Sequence, residues 1–201
     1  SAGELDDADW IVLPGSKQVS GDLAWLRAAG LLPAIEAHVR RGRPLLGLCG
    51  GMQMLGRSLD DPEGADGVPH GPIPGLGLLP LATRYAAPKR LRAAPVRFGA
   101  LAAPWQALSG LRPPAYEIRC GATMADGNGA QAVLFDAAGA AIGWQAGPVL
   151  GLATHGLFED AAVLRALFGR SVRTLDDSLD GLADLVEAQL GAATLRALLQ
   201  A

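Results

Sequence analysis

Pro44-Leu45-Leu46-Gly47-Leu48-Cys49-Gly50-Gly51-Met52-Gln53-Met54-Leu55 is the stretch on which the fold turns. Its first half is a short continuous apolar run, the pattern of a strand buried on both faces. Two glycines interrupt it, and Met52, Met54 and Leu55 then open a helix. Upstream, Trp10-Ile-Val-Leu13 is a second such run, stopped by Pro14-Gly15-Ser16. Helical spacing follows through Leu23, Leu26 and Leu31-Leu32, with Ile35 and Val39 continuing it after a break at Gly30 and Pro33. Strand, helix, strand, tight turn and helix in this order predict an α/β fold with a mostly parallel sheet flanked by helices. Right-handed crossovers place the loops after both strands at one carboxyl edge of that sheet. Only nine residues precede Trp10, too few for another strand and crossover. The sheet is therefore expected to lack its first strand, as a fragment of a longer protein would.

Residues 60–80 turn to Gly, Pro and Asp without either period and read as one long loop. Leu91–Phe98, Ala115–Arg119, Ala132–Phe135, Ala141–Gln145 and Val149–His155 read as strands, the third and fourth joined by a turn through Asp136–Gly139. Ala161–Phe168 and Leu179–Leu199 repeat apolar residues at helical spacing. A chain of 201 residues supports one sizeable core. The expected organisation is one domain over residues 1–201, with 161–201 a helical carboxy-terminal extension.

Net charge is only −3, and the basic residues are scattered apart from Arg40, Arg41, Arg43 and the Lys89, Arg90, Arg92 group, so no nucleic-acid footprint is present. No apolar run reaches membrane-spanning length and the first residues form no signal core, which predicts a cytoplasmic protein with no membrane partner. Cys49 and Cys120 read as free thiols. Three histidines and two cysteines form no spaced metal cluster, and no Gly-x-x-x-x-Gly-Lys-Ser/Thr loop exists, so neither a metal nor an ATP site of that type is expected.

A cysteine at the end of an apolar strand is inert packing by default. In Gly47-Leu-Cys49-Gly-Gly51, however, the glycines remove the side chains that would block a strained strand-to-helix turn, which presents the thiol at the sheet edge. The helix that follows aims its amides at the thiol, an arrangement that favours thiolate and oxyanion. Cys49 is thus the expected nucleophile. His155 ends a strand-like run and reaches the same edge, which makes it the expected base, against a buried structural histidine. His38 stands beside Arg40 and Arg41 and reads as a surface residue; His70, in the Gly/Pro loop, has ligand contact as its lesser reading. Backbone amides at Gly15 and Ser16, with that of Gly50, are the expected oxyanion donors. Glu117 and Arg119 share a strand in which substrate or interdomain contact competes with surface pairing, and Cys120 reads as structural.

These residues carry a resemblance. Gly47-Leu-Cys-Gly-Gly-Met-Gln-Met-Leu-Gly56 with the distant His155 resembles the class I glutamine amidotransferases, which have flavodoxin-like layers. The resemblance narrows to the glutaminase domain of the cobyric acid synthase group through Leu13-Pro-Gly-Ser-Lys17, Asp22-Leu-Ala-Trp-Leu26, Asp61-Pro62, Gly75-Leu-Gly-Leu-Leu-Pro80 with Thr83 and Lys89, Tyr116-Glu-Ile118 and His155-Gly-Leu-Phe158. It implies hydrolysis of L-glutamine and transfer of ammonia to an amino-terminal ATP-dependent synthetase domain. That domain, with ATP and Mg, amidates four carboxylates of the corrinoid adenosylcobyrinic acid a,c-diamide; no cofactor is implied for this chain itself. Gln53 is implied as a glutamine-binding residue, packing of the first helical turn being its alternative. Where many class I enzymes carry a Glu two residues after the histidine, this chain has Leu157, as the cobyric acid synthase group also lacks it, so a Cys–His dyad is implied. Met52 replaces the group's usual aromatic, and Arg119 stands where the group has His.

The competing readings are an amidotransferase subunit acting on a cell-wall lipid precursor, a cysteine hydrolase with the same elbow, and a non-enzymatic interaction domain. The last predicts no alkylation by a glutamine analogue.

Overall fold

A computed structural model describes residues 2–88, 90–93 and 95–199; Lys89 and the side chains of Arg90, Arg92 and Arg119 lie outside the described residues. The first half of the chain runs β1 (Ile11–Leu13), α1 (Val19–Ala28), α2 (Leu32–Arg40), β2 (Leu45–Leu48), α3 (Gly50–Leu55), β3 (Ser58–Asp61), β4 (His70–Pro74) and β5 (Leu81–Arg84). The second half runs β6 (Arg90–Ala93), β7 (Arg97–Phe98), β8 (Tyr116–Arg119), β9 (Ala122–Ala125), β10 (Gln131–Phe135), β11 (Ala141–Ala146), β12 (Val149–Leu152), α4 (Ala161–Phe168), α5 (Leu175–Leu190) and α6 (Ala192–Leu199).

The main sheet has the order β1-β2-β12-β11-β10-β7. Its site-bearing half is parallel, β1 and β12 flanking β2, and its other half, β12-β11-β10-β7, is antiparallel. Leu45, Leu46, Val149, Leu150 and Leu152 are buried along β2 and β12, as expected of strands covered on both faces. The register sets Leu13 against Gly47 and Gly47 against Gly151, so β1, β2 and β12 finish side by side. Whatever follows each strand therefore meets at one edge. Helix α1 seals this half by burying Val19, Leu23 and Leu26, each such burial contributing about 1.5–3 kcal/mol.

Several expectations change. Pro33 lies in the first turn of α2, where its missing N–H costs nothing, so it starts that helix and does not break it. The 60–80 segment is not one loop: β4 pairs antiparallel with β3, which pairs parallel with β5, and β9 completes a second sheet of order β4-β3-β5-β9. β4 carries Pro72 and Pro74 and is tolerated because it is an edge strand. The 91–98 strand is split into β6 and β7, with Ala94 between them outside the described residues, and Val149–His155 stops as a strand at Leu152. His38 is not a surface residue. It is fully buried on the inner face of α2 one turn after Ile35, and its Nε2–H donates to the Pro44 carbonyl at 2.9 Å, tying α2 to the entrance of β2.

Helix α4 is capped by Asp160, whose carboxylate accepts from the amides of Ala162 and Val163, and it buries Val163 and Leu164. Helix α5 has no buried residue and holds Leu175, Leu179, Leu182 and Val186 on one exposed stripe. Among the described residues no helix is long and apolar enough to cross a membrane.

Candidate active site

Cys49 joins β2 to α3 with φ 50° and ψ −109°, the one non-glycine residue of positive φ among the described residues. This is the strained elbow that the flanking glycines permit. A side chain on Gly51 would run into the carbonyl oxygen of Leu13, and one on Gly47 would come within 2.8 Å of the Met52 amide nitrogen. Cys49 is buried, its amide donates to Leu152 at 2.7 Å, and its thiol donates to the Ile118 carbonyl at 3.4 Å.

The loop after β1 closes over this elbow. A Cβ built on Gly50 would lie 2.7 Å from the Ser16 nitrogen, so the two backbones meet with no room for a side chain between them. Ser16 is fixed from both sides: its hydroxyl donates to Asp22 at 2.6 Å and accepts from the amide of Gln18 at 2.9 Å. A Cβ on Gly15 would fall 3.2 Å from His155 Cε1 and 3.8 Å from Cys49 Cβ, which brings the imidazole and the cysteine together beside one glycine. Gly15, Ser16, Lys17, Cys49, Ile118 and His155 line a common cleft of about 350 Å³.

His155 is held through its backbone and its ring. It exchanges two hydrogen bonds with Tyr116, at 2.8 and 3.2 Å, and the two rings stack with centroids 5.5 Å apart at 12°. The Thr154 hydroxyl donates to the Tyr116 carbonyl at 3.0 Å. Leu157, two residues on, is buried in the core, so no carboxylate comes from that position.

A second cavity, of about 290 Å³, leads from Cys49 past Gln53, Ala65, Asp66, Tyr85 and Cys120. Gln53 is buried on α3, and the Tyr85 hydroxyl donates to its Oε1 at 3.2 Å. Burial, reinforced by the carboxylates of Asp66 and Asp61 and by the two thiols, pushes the Tyr85 phenol far above its ordinary range, so it remains a neutral donor. Asp61, at the end of β3, accepts from the amides of Ala65 and Asp66, each at 2.8 Å. Asp66 in turn accepts from the amides of Val19 and Ser20 and from the Ser20 hydroxyl, capping α1 from across the chain.

The structure thus gathers Cys49, His155, Gly15, Ser16, Gly50 and Gln53 at the carboxyl edge of the parallel strands. Glu117 is buried in β8 but lies outside both cavities; by strand alternation it is Ile118 that faces Cys49. Arg119 belongs to β8, with its side chain outside the described residues. His70 sits in β4, its Nδ1–H donating to Gly71 at 2.8 Å, and lines neither cavity. Sequence reasoning missed Asp66, Tyr85 and Ile118 as cavity-lining residues, and Cys120, read from sequence as structural, borders the same cavity. The available signal was two aspartates framing a Pro- and Gly-containing turn, Asp61 to Asp66, directly after a strand. Among the described residues no group of three His, Cys, Asp or Glu is arranged to hold a metal ion.

Residues 1–163 match the family model described as a CobB/CobQ-like glutamine amidotransferase domain. The chain belongs to this family. As a member of the class I glutamine amidotransferases it is similar to the cobyric acid synthase of Polaromonas sp. (strain JS666 / ATCC BAA-500), at 49% identity over 207 residues covering 99% of this chain and 39% of that protein. The cobyric acid synthase of Methylibium petroleiphilum is 50% identical over 202 residues, covering 99% of this chain and 40% of that protein. The amidotransferase chain therefore spans about two fifths of the length of these curated relatives. Among solved structures, a glutamine amidotransferase superposes with a TM-score of 0.59 at 19% identity over 84% of this chain and 81% of that one. PurLQS from Thermotoga maritima gives 0.60 at 16% identity over 82% and 80%. These likenesses establish the class I amidotransferase fold, an α/β layered architecture, for this family member.

Proposed function

We propose that this chain is the glutamine-hydrolysing domain of an adenosylcobyric acid synthase, supplying ammonia for the ATP-dependent amidation of adenosylcobyrinic acid a,c-diamide at four carboxylates. The reading assigns residues 1–201 to one amidotransferase domain with 161–201 as its helical extension, and it gives ATP, Mg and the corrinoid to an amino-terminal synthetase domain. The observation that carries it is the strained Cys49 elbow with His155 against the same Gly15, in a chain half identical to cobyric acid synthases along its length.

His155 takes the Cys49 proton, and the thiolate attacks the side-chain amide carbon of glutamine. The amide of Gly50 and those of the Gly15–Ser16 loop receive the developing oxyanion; because Ser16 is locked by Asp22 and Gln18, they are in place before the reaction starts. The imidazolium returns its proton to the leaving nitrogen, ammonia departs, and a Cys49 thioester remains. Water, deprotonated by His155, adds to the thioester and releases glutamate and the thiol. With Leu157 where a triad carboxylate would stand, the stacked and doubly hydrogen-bonded Tyr116 orients the base. Gln53 binds glutamine beside the nucleophile.

The test is mass spectrometry after incubation with 6-diazo-5-oxo-L-norleucine. Stoichiometric labelling at Cys49 is expected, absent in Cys49→Ser and slowed in His155→Ala. A folded chain whose Cys49 reacts with iodoacetamide and never with the glutamine analogue would overturn the reading in favour of a general cysteine hydrolase or an inert domain.

A further inference from the structure

We propose that helix α5 is a docking element whose leucine stripe seats in an apolar groove of the synthetase domain, a groove rimmed on one side by Lys or Arg. The inference rests on the synthase reading and names the surface through which the glutaminase meets the part that consumes its ammonia.

Leu175, Leu179, Leu182 and Val186 follow one another at spacings of four, three and four, the repeat of a helix that lays a seam against a partner. Leu190 extends the stripe by a further turn. Each of the five is between 38% and 55% exposed, and no residue of this 16-residue helix is buried. None of them joins the hydrophobic core, whose last contributors along the chain stand in α4. A helix of this length facing water is marginal by itself, even with Thr174 and Asp177 closing a capping box at its start. Leucines scattered singly over a surface need no explanation, but an apolar face aligned along a whole helix marks a surface to be covered.

Two observations say what covers it. The amidotransferase family model ends at residue 163, before α5, whereas the match to the cobyric acid synthases runs over 99% of the chain. Helix α5 thus accompanies the synthase and not the amidotransferase fold in general, and more than half of the length of those relatives lies outside the matched part. The second observation is charge. Helix α5 holds Asp176, Asp177, Asp180, Asp184 and Glu187 with no Lys or Arg, and Asp176, Asp180 and Glu187 recur at helical spacing along one flank of the stripe. Two copies of α5 laid seam to seam would bring these carboxylates together without a cation on either helix, and like charges set against each other at an interface are costly. A basic rim meets the same flank with opposite charge.

The experiment is hydrogen exchange of the α5 amides, in the 201-residue chain and in a full-length synthase that carries it as its amidotransferase part. Residues 179–186 should exchange at least about 10-fold more slowly in the full-length protein, the equivalent of covering one of these side chains. Leu179→Asp with Val186→Asp should remove that protection and cut glutamine-driven amide formation about 10-fold. Amide formation from added ammonium salt, and labelling of Cys49 by 6-diazo-5-oxo-L-norleucine, should stay close to wild type. The melting temperature of the 201-residue chain should not move, because both side chains are exposed in it. Asp180→Lys with Glu187→Lys should weaken the protection as well, through the rim. Equal exchange in the two proteins overturns the proposal, as does protection that survives the double aspartate variant. Protection that appears in the 201-residue chain and grows with its concentration makes a second copy the occupant and overturns it too. A Cys49 that the diazoketone never labels, in a full-length protein whose α5 is protected, removes the glutamine reading and not the docking contact.

Discussion

Exchange of Cys49 for glycine and for alanine should reverse the usual order of stability. At an ordinary ordered position glycine is less stable than alanine by about 0.5–1 kcal/mol, because it loses more backbone freedom on folding. At Cys49 the backbone stands at φ 50° and ψ −109°, a conformation that costs any residue with a Cβ about 1–3 kcal/mol. Alanine keeps that cost and glycine sheds it. Against the gain stand about 0.4–1 kcal/mol of extra unfolded-state entropy and a fraction of the ~0.8 kcal/mol attached to one buried methyl. The methyl term is small because the side chain borders two open cavities and not close-packed core. The balance leaves Cys49→Gly more stable than Cys49→Ala by about 1 kcal/mol, a melting difference of about 2–4 °C for a chain of this size. Urea unfolding followed by the fluorescence of buried Trp105 and Trp144 measures it. An alanine variant as stable as the glycine variant would refute the claim that the elbow is strained and that the strain resides in the Cβ.

Three further expectations follow from the same geometry. Gly51→Ala forces a methyl against the Leu13 carbonyl and should destabilise by about 1–3 kcal/mol while slowing Cys49 alkylation, read by melting temperature and labelling rate together. Asp61→Ala removes the acceptor for two buried amides and should cost about 2–4 kcal/mol; hydrogen exchange at Ala65 and Asp66 should accelerate more than at Leu45 or Leu150, and uniform acceleration would contradict the local role. The Tyr85 phenol has a folded pKa raised above its unfolded value of about 10, so its contribution is fully present below pH 10 and is lost as the unfolded chain ionises above it. Stability should therefore fall above pH 10 with a slope of up to about 1.4 kcal/mol per unit from this group. Tyr85→Phe should abolish that slope, and its persistence would place the effect elsewhere.

The sequence was most readable where neighbours in the chain are also neighbours in space. The apolar runs of β1 and β2, the turn from Cys49 into α3, and the β10–β11 hairpin, whose Asp136 carboxylate accepts from Ala138 and Ala140, each announce themselves locally. The second sheet did not. Its strands of four or five residues are drawn from positions 58 to 125 and pair across intervening elements, and its edge strand β4 contains two prolines, which argue against a strand when read in isolation. His38 was misread because its charged neighbours Arg40 and Arg41 dominate the local composition, although its spacing from Ile35 puts it on the buried face. Within the site, Cys49 and Gln53 come from one motif and were legible together. Asp66 comes from a loop, Tyr85 from the residue after β5, and Ile118 and Cys120 from the end of β8, and only the folded chain makes the three segments neighbours.

The cap on α1 bears on the order of folding events. The amides of Val19 and Ser20 are satisfied by a carboxylate nearly fifty positions further along the chain. The turn at Gly15–Ser16 leads directly into that helix, so it reaches its final shape only after β3 has formed and the segment carrying Asp66 has closed over it. Closing so long a loop carries an entropic cost before the contact repays it, and contacts of this range belong to the late, slow part of folding. The hydrophobic layers can thus collapse while the pocket beside Cys49 is still unfinished. A newly made chain would bury its leucines first and acquire chemical competence last.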